Sequence, residues 1–354
     1  MSFVTRTQII ARLEEHHIPC AELSLQNGVT LLISQLGGRA YGPFLSPTSE
    51  SLYWVPPVFS DARAFADYLA GGWNYGGERF WVAPEIQYII RDRNDYFGSM
   101  FIPPSMDPGA WKLEKAGDYC WRLIQDLTLE AYNLASGRKS LRLEVTFSPA
   151  QNPLRHLGSE AELMEGVTYA GYEQAMLLRE DTRDDILSAA WNLVMLKPGG
   201  EIFIPCTPRA EATRYKGDLD PRVLRIYPHY TRLQITGRQM YKVGFKAAHT
   251  FGRMAYLSNK EETDGYLLIR SFSAHPSSEY PEEPPHMPGR RGDVIHVYND
   301  DGNFGDMGEM ECNGQTIGGP TGRSESLDTL ALYLFVGPKD RLQAILLELL
   351  GVEL

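Results

Sequence analysis

The sequence has few cysteines, and they are not arranged as metal ligands are. Only four occur in 354 residues, and no two are close enough to form a Cys-x-x-Cys pair or a zinc knuckle. The four are Cys20, Cys120, Cys206 and Cys312. Their number and spacing indicate a reducing compartment rather than a disulfide framework.

Long apolar segments and a basic excess are also missing. Residues 1–14 lack the apolar core of a signal peptide, and no later run reaches about 18 uninterrupted apolar residues. Acidic residues outnumber basic ones by 45 to 34, and the net charge of -11 opposes binding to phosphate backbones or anionic lipid. We therefore expect a soluble, cytoplasmic protein that binds neither nucleic acid nor membrane.

The sequence is rich in aromatic and turn-forming residues, with 19 Tyr, 14 Phe, 6 Trp, 33 Gly and 23 Pro. Aromatic side chains fit half-buried pleated surfaces, and Gly and Pro mark chain reversals. From residue 119 onward, apolar runs bounded by such residues recur, a pattern typical of antiparallel strands. The predicted strands are a strand-turn-strand unit over 119–147, then 171–178, 186–195, 201–204, 232–235, 253–258, 266–272, 293–299, 307–313 and 330–336.

The two ends differ from this pattern. Helical periodicity covers residues 5–17 and 340–350, and strands at 21–25 and 29–34 are joined through Asn27 and Gly28, a pair suited to a tight hairpin. No low-complexity linker divides the chain. We predict one mainly β, antiparallel domain over 1–354, with an N-terminal helical cap at 1–18 and a C-terminal helix at 339–354.

Two stretches are predicted to be long irregular loops, namely 41–83, rich in Gly, Trp and Tyr, and 274–292, rich in Pro. Long ordered loops in a compact domain are often functional. For 274–292, a mobile surface insertion is the favoured alternative.

A glycine-rich segment over 71–85 combines flat aromatic faces with fixed hydrogen-bonding groups. Trp73 and Trp81 supply the faces, and Asn74, Arg79 and Glu85 supply donors and acceptors. Such a mixture suits a sugar, which has an apolar C–H face and a ring of hydroxyls. The alternative is that the aromatic residues are core and that Arg79 and Glu85 form a structural ion pair.

A second segment, 294–315, contains Glu309 and Glu311 two residues apart on a predicted strand, so that both carboxylates face the same side. Like charges on one buried face raise a pKa, as a general base working near neutral pH requires. The alternative is a solvent-facing acidic edge strand. The acidic turn over 299–306 is interpreted as a turn without calcium, and no motif indicates a metal or any other cofactor.

Taken together, these pieces resemble the galactose mutarotase-like superfamily, in a branch that lacks the usual catalytic histidines. The resemblance is carried by the Asn27-Gly28 hairpin leading to Gly37-Gly38-Arg39, by GGERFWVAPE in the glycine-rich segment, and by GEMECNGQ in the late strand pair. It extends from about residue 20 to 337. It implies a large twisted β-supersandwich with carbohydrate bound at a concave face.

The resemblance also implies roles for individual residues. Glu311 lies where enzymes of this superfamily have their general base, and the segment 188–193, SAAWNL, lies where they have their general acid but contains no His. Lys242 and Lys246 are the substitutes to test. The expected ligand-binding residues are Trp73, Asn74, Arg79, Trp81, Glu85, Trp191, Lys242, Lys246, Glu309 and Asn313, with Glu311 as the catalytic residue.

Three functions remain open on these residues, each with a small-molecule carbohydrate or sugar derivative as partner. The first is an aldose epimerase-like isomerase that uses Glu311 as base. The second is a non-catalytic sugar-recognition domain, and the third is a carbohydrate lyase or hydrolase that uses Glu309 and Glu311. The missing histidines favour the second function, and the late Glu favours the first.

Overall fold

The computed structural model describes residues 4–258 and 263–354. Its helices are α1 (Arg6–Glu15), α2 (Ala62–Leu69), α3 (Glu85–Tyr88), α4 (Tyr96–Ser99), α5 (Glu160–Leu163) and α6 (Lys339–Leu350). Its strands are β1 (Cys20–Ser24), β2 (Thr30–Ser34), β3 (Arg39–Phe44), β4 (Glu78–Ala83), β5 (Lys112–Gly117), β6 (Cys120–Ala131), β7 (Gly137–Pro149), β8 (Thr168–Glu180), β9 (Ser188–Leu196), β10 (Gly200–Pro205), β11 (Ala212–Lys216), β12 (Leu224–Ile226), β13 (Tyr230–Ile235), β14 (Tyr241–Lys246), β15 (Arg253–Ser258), β16 (Asp264–Phe272), β17 (Asp293–Asn299), β18 (Gly308–Ile317) and β19 (Glu325–Pro338). None of the described helices is long and apolar enough to cross a membrane.

The strands form two antiparallel sheets. The 9-stranded sheet has the order β1-β2-β3-β4-β9-β18-β17-β14-β11, and the 10-stranded sheet has the order β12-β13-β10-β15-β16-β19-β8-β7-β6-β5. Side chains of both sheets, among them Phe80 and Val194 of the first and Leu143 and Met176 of the second, meet in one buried apolar cluster. The sheets therefore pack face to face as a β-sandwich.

The prediction of a mainly β, antiparallel sandwich with a helix near each end is confirmed. Each strand predicted from residue 119 onward coincides with or overlaps an observed strand. The first hairpin turns at Asn27 and Gly28, whose φ angles are 56° and 75°. Helix α1 begins at a capping box formed by Thr5 and Gln8. The single-domain organisation stays a prediction, and residues 1–3 of the predicted cap lie outside the described residues.

The prediction of an irregular loop over 41–83 is wrong. This stretch contains the end of β3, helix α2, which is capped by the Asp61 side chain, and all of β4. Every residue of β4 is buried, so the strand lacks the apolar-polar alternation that a half-exposed strand shows. Strand β14 was missed as well: it is buried on both faces, and Lys242 and Lys246 interrupt its apolar run.

The stretch 274–292 lacks regular structure, as predicted, but residues 280–284 in its middle are buried and are not at the surface. Tyr280, Glu282 and Glu283 are all buried. Glu283 forms ion pairs with Arg93 at 2.8 Å and with Arg291 at 2.9 Å. The pair with Arg93 connects the segment to the rest of the chain, and the pair with Arg291 lies within the segment.

A buried ion pair connects the two sheets. Glu78 of β4 and Arg270 of β16 face each other across the sandwich, and neither is more than 1% exposed. Gln174 donates to the second oxygen of Glu78 at 2.6 Å, and the hydroxyl of Tyr172 donates to the same atom. The charge on each partner is thus balanced within a region that water does not reach.

Replacement of Glu78 by Gln is expected to lower the free energy of unfolding by about 3–5 kcal/mol, because it leaves the Arg270 guanidinium buried without a counter-charge. Urea denaturation measures this change. The matched control is Glu130→Gln, which removes the partner of Arg138 from an exposed pair at 3.0 Å and should change stability by less than about 1 kcal/mol. Equal effects of the two substitutions would contradict the importance of the buried pair.

Candidate functional site

The candidate site forms on the face of the 9-stranded sheet that points away from the other sheet. Because side chains alternate along a strand, Glu78 of β4 faces the sandwich interior while Arg79 and Trp81 face outward. Trp81 lies directly opposite Trp191 of β9. On the other side of β9, β18 carries Glu309 and Glu311 on this same outer face.

The prediction that Glu309 and Glu311 share one face agrees with the structure, but the alternative of an acidic edge strand does not. Strand β18 lies in the middle of the sheet, between β9 and β17. Both carboxylates are therefore buried.

A pocket of about 500 Å³, including the part open to solvent, lies over these strands. The cavity proper, the space that a water-sized sphere can occupy, is about 70 Å³, smaller than the roughly 300–1,000 Å³ usual for small-molecule sites. It is lined by Trp73, Arg79, Trp81, Glu85, Ile89, Met100, Ile102, Trp191, Leu193, Lys216, Lys242, Tyr298, Phe304, Met307 and Glu309.

Three tryptophans form one wall of the pocket. The ring centroids of Trp73 and Trp81 are 6.1 Å apart, and those of Trp81 and Trp191 are 5.6 Å apart. The Arg79 guanidinium covers the Trp81 ring at 4.1 Å from its centroid. Trp81 is thus largely enclosed, and the half-buried Trp73, with Phe304 5.6 Å away, presents the more accessible aromatic surface.

Arg79 pairs with Glu309, not with Glu85 as the alternative interpretation of the sequence proposed. Its Nη2 lies 2.8 Å from Oε1 of Glu309. Both side chains line the pocket and are almost fully buried. Within the described residues, no acceptor meets Nε or Nη1 of Arg79. Both atoms are buried, so the hydrogen-bonding capacity of these N–H groups is unsatisfied in this structure.

Glu85 is held instead by two lysines. Nζ of Lys216 and Nζ of Lys242 each lie 2.7 Å from one of its oxygens, and the Tyr96 hydroxyl donates to it as well. Burial alone would raise the pKa of Glu85, but the two ammonium groups outweigh burial and hold that pKa well below its ordinary value. Glu85 is therefore a fixed anion at neutral pH.

Glu311 lies beneath the pocket wall rather than on it. Its Oε2 is 3.0 Å from Nζ of Lys242 and accepts a hydrogen bond of 2.9 Å from Nε1 of Trp191. Its Oε1 is buried and meets no donor among the described residues. Burial raises the pKa of Glu311 to about 7, with Glu309 and Glu85 adding to the rise and Lys242 opposing it.

The remaining predicted residues lie outside the pocket lining. The Asn74 side chain is buried and donates to the carbonyl of Phe304 at 3.1 Å. Lys246 donates to the carbonyl of Arg291 and lies 3.3 Å from Asp293. Asn313 is buried on β18 opposite Trp191.

Sequence analysis missed several polar residues at this site. Lys216 and Tyr96 contact Glu85, and Tyr298 lines the pocket. His296 lies directly opposite Glu311 on β17 and is buried, which lowers its pKa well below the ordinary value. The only available signal was the alternation within the predicted strand 293–299, which places His296 and Tyr298 on one face.

Glu282, from the segment 274–292, was missed as well. It accepts the backbone N–H groups of Glu85 and Ile86 at the start of α3. Burial raises its pKa to about 8, and the neighbouring Glu85 carboxylate adds to the rise.

In the acidic turn over 299–306, carboxylates accept hydrogen bonds from the turn's own backbone N–H groups. Oδ2 of Asp300 accepts the N–H groups of Gly302, Phe304 and Gly305 at 2.9–3.2 Å. Throughout the part of the chain that the structure describes, no group of three His, Cys, Asp or Glu side chains is arranged to hold a metal ion.

The fold and the site define a two-sheet antiparallel β-protein with an aromatic and charged pocket on the outer face of one sheet. The sequence model of a family of unknown function (DUF6786) matches residues 66–354, and the chain belongs to that family. No curated protein sequence matches the chain significantly.

Several solved structures are similar to this one. A candidate aldose 1-epimerase from Escherichia coli K12 has a TM-score of 0.49 and 11% identity, covering 90% of this chain and 99% of its own. The Slr1438 protein from Synechocystis sp. PCC 6803 has a TM-score of 0.48 and 11% identity, covering 90% and 96%. The GalM/aldose epimerase homologue from C. elegans has a TM-score of 0.46 and 10% identity, covering 90% and 99%.

These likenesses are of fold at low identity, and no functional assignment follows from them.

The raised pKa of Glu311 predicts a specific pH dependence of stability. The folded protein keeps this proton up to about pH 7, whereas the unfolded chain loses it near pH 4.5. The contribution of Glu311 to the free energy of unfolding is therefore neutral below pH 4.5 and becomes unfavourable as pH rises to about 7, by on the order of 3 kcal/mol.

The test compares wild type with Glu311→Gln, which cannot titrate, in urea denaturation at a series of pH values. The stability of the wild type relative to the variant should decrease across this pH range and stay level above it. A difference that does not change with pH would contradict the raised pKa.

Proposed function

We propose that the chain binds a carbohydrate in the pocket beside Trp73. One observation carries the proposal: an accessible aromatic surface lies next to a buried arginine that has N–H groups without acceptors. A pyranose presents an apolar C–H face to the aromatic surface and hydroxyl or ring oxygens to the arginine N–H groups. The charged groups that line the pocket are paired with one another, which favours a neutral ligand over a charged one.

Isomerisation of the bound sugar is the finer form of the proposal, with Glu311 as general base. Its pKa of about 7 suits a base that works near neutral pH. In such a step, the carboxylate would take the proton of the anomeric hydroxyl. The approach has to use Oε1, because Oε2 is engaged by Lys242 and Trp191.

Lys242 is a poor candidate for the general acid. Burial opposes its charge, but the carboxylates of Glu311 and Glu85 raise its pKa above the ordinary value, so it keeps its proton. It can stabilise negative charge without donating a proton. No histidine lines the pocket among the described residues.

A non-catalytic sugar-recognition domain is the second candidate function. It is favoured by the complete burial of Glu311 and by the lack of an imidazole in the pocket. The lyase or hydrolase alternative is weaker, because Glu309 and Glu311 lie on one strand and do not flank the pocket from opposite sides.

The proposal extends to the setting of the protein. Four unpaired cysteines suit a reducing cytoplasm, and a net charge of -11 disfavours nucleic acid and anionic membranes as partners.

Replacement of Trp73 by Ala is expected to weaken binding of the best aldose ligand about tenfold, because it removes the accessible aromatic surface, a contact of about 1.4 kcal/mol. Isothermal titration with D-glucose, D-galactose, D-mannose and their 6-phosphates measures the effect. Trp121→Ala, which removes a partly buried tryptophan on β6, is the control and should bind like wild type. Unchanged affinity in Trp73→Ala would show that the sugar does not bind against this wall.

Catalysis is tested by NMR exchange spectroscopy between the anomers of the same sugars. If Glu311 is the base, wild type accelerates exchange over the protein-free rate, and Glu311→Gln loses at least about a hundredfold of that acceleration. Glu309→Gln is the matched comparison on the neighbouring position of β18. No acceleration by wild type for any sugar, together with measurable binding, would remove the isomerase and leave the recognition domain.

A further inference from the structure

A second fully buried ion pair lies directly behind the tryptophan wall. Nη2 of Arg39, at the start of β3, is 2.6 Å from Oδ2 of Asp107, and both side chains have no exposed area. Asp107 lies in the connection between α4 and β5. Arg39 lies directly opposite Arg79 of β4, whereas Glu78, the residue before Arg79, faces the sandwich interior and pairs with Arg270.

Each partner of this pair also holds one of the pocket tryptophans. Oδ2 of Asp107 accepts a hydrogen bond of 3.0 Å from the indole N–H of Trp81. Arg39 donates to the backbone carbonyls of Trp73 and Gly76, each at 2.8 Å. The Arg39–Asp107 pair thereby holds both the ring of Trp81 and the backbone of Trp73.

The surroundings leave this arrangement little freedom. Gly37 has a φ of +67°, and a Cβ there would lie 2.8 Å from Nε of Arg39 and 3.1 Å from Oδ1 of Asp107. The ion pair thus packs directly against the backbone of the turn before β3, and a rotation of either side chain would break at least two hydrogen bonds.

From this geometry we infer that Asp107 and Arg39 are positioning residues that fix the orientation of the indole wall formed by Trp73 and Trp81. The part of this inference that concerns ligand binding rests on the proposed function. Asp107 does not line the pocket and acts through Trp81, whose ring in turn supports the guanidinium of Arg79. Loss of the Asp107 carboxylate allows the Trp81 indole to tilt and shifts the aromatic surface of Trp73 that lines the pocket.

The test is a double-mutant cycle between Asp107→Asn and Trp81→Phe. Trp81→Phe keeps an aromatic ring but removes the N–H group that donates a hydrogen bond to Asp107. It leaves the ion pair between Asp107 and Arg39 intact. Glu78→Gln is the matched control, because it neutralises the carboxylate of another fully buried pair with arginine that does not touch the pocket.

The first measurement is near-ultraviolet circular dichroism of the unliganded proteins in the tryptophan region, at a temperature where all variants are folded. Asp107→Asn should change the spectrum, Glu78→Gln should not, and Asp107→Asn should add little to Trp81→Phe. If Asp107→Asn does not fold, the Trp81→Phe spectrum is compared with wild type instead, and a change beyond the loss of one indole band supports the inference.

The second measurement is the affinity for the best aldose of the panel. Each single variant should bind about tenfold more weakly, and the double variant should bind no more weakly than the weaker single one, because Asp107→Asn weakens and Trp81→Phe removes the same hydrogen bond. An unchanged spectrum in Asp107→Asn, or fully additive losses in the cycle, would overturn the inference. A changed spectrum with no sugar bound by any protein, wild type included, supports the positioning role and overturns the proposed function instead.

Discussion

The ammonium group of Lys242 is the charge on which the arrangement of the pocket depends. It lies 2.7 Å from Glu85, 3.0 Å from Glu311 and 4.6 Å from the centre of the Trp191 ring, in a region with almost no contact with water. An isolated charge in such surroundings is strongly unfavourable, and two carboxylates without a cation would repel each other. Lys242 of β14 therefore allows two carboxylates, Glu85 at the start of α3 and Glu311 on the central strand β18, to lie close together.

The same strands serve the core and the pocket through the alternation of their side chains. On β4, Glu78 and Phe80 complete the sandwich interior, while Arg79 and Trp81 build the pocket. The site thus sits on central strands that are hydrogen-bonded on both sides, where side-chain positions are more strictly defined than on loops. Other lining residues come from elsewhere: Glu85 from α3, Lys216 from the edge strand β11, and Trp73, Ile89, Met100, Ile102, Phe304 and Met307 from connecting segments.

Much of the fold could be predicted because its signals are local. The Asn27-Gly28 turn, the strand pair over 119–147 and the two terminal helices each show in a short stretch of sequence. Strand β9 is buried on both faces and was still predicted, because its sequence is a nearly continuous apolar run. Strands β4 and β14 are equally buried but carry charged residues, Glu78 and Arg79 in one and Lys242 and Lys246 in the other, which interrupt such a run.

The site was predicted less well, because its contacts connect distant parts of the chain. Arg79 forms an ion pair with Glu309 rather than with Glu85, which is closer in sequence. Lys216 contacts Glu85 only because β11 pairs with β14. Residue types at 71–85 and 309–311 indicated segments that do contribute to the pocket. Their partners depended on strand order, which no single segment contains.

The separation of these partners also has a consequence for how the molecule forms. The Arg79–Glu309 contact closes a loop of 230 residues, and the strands between them in the sheet come from widely spaced parts of the chain. Contacts of such long range are slow to form, since loop-closure entropy is lost before the contact is made. The pocket therefore assembles only once most of the chain has been synthesised, and a chain still growing toward β18 carries Arg79 and Trp81 without the acidic strand that completes their surroundings.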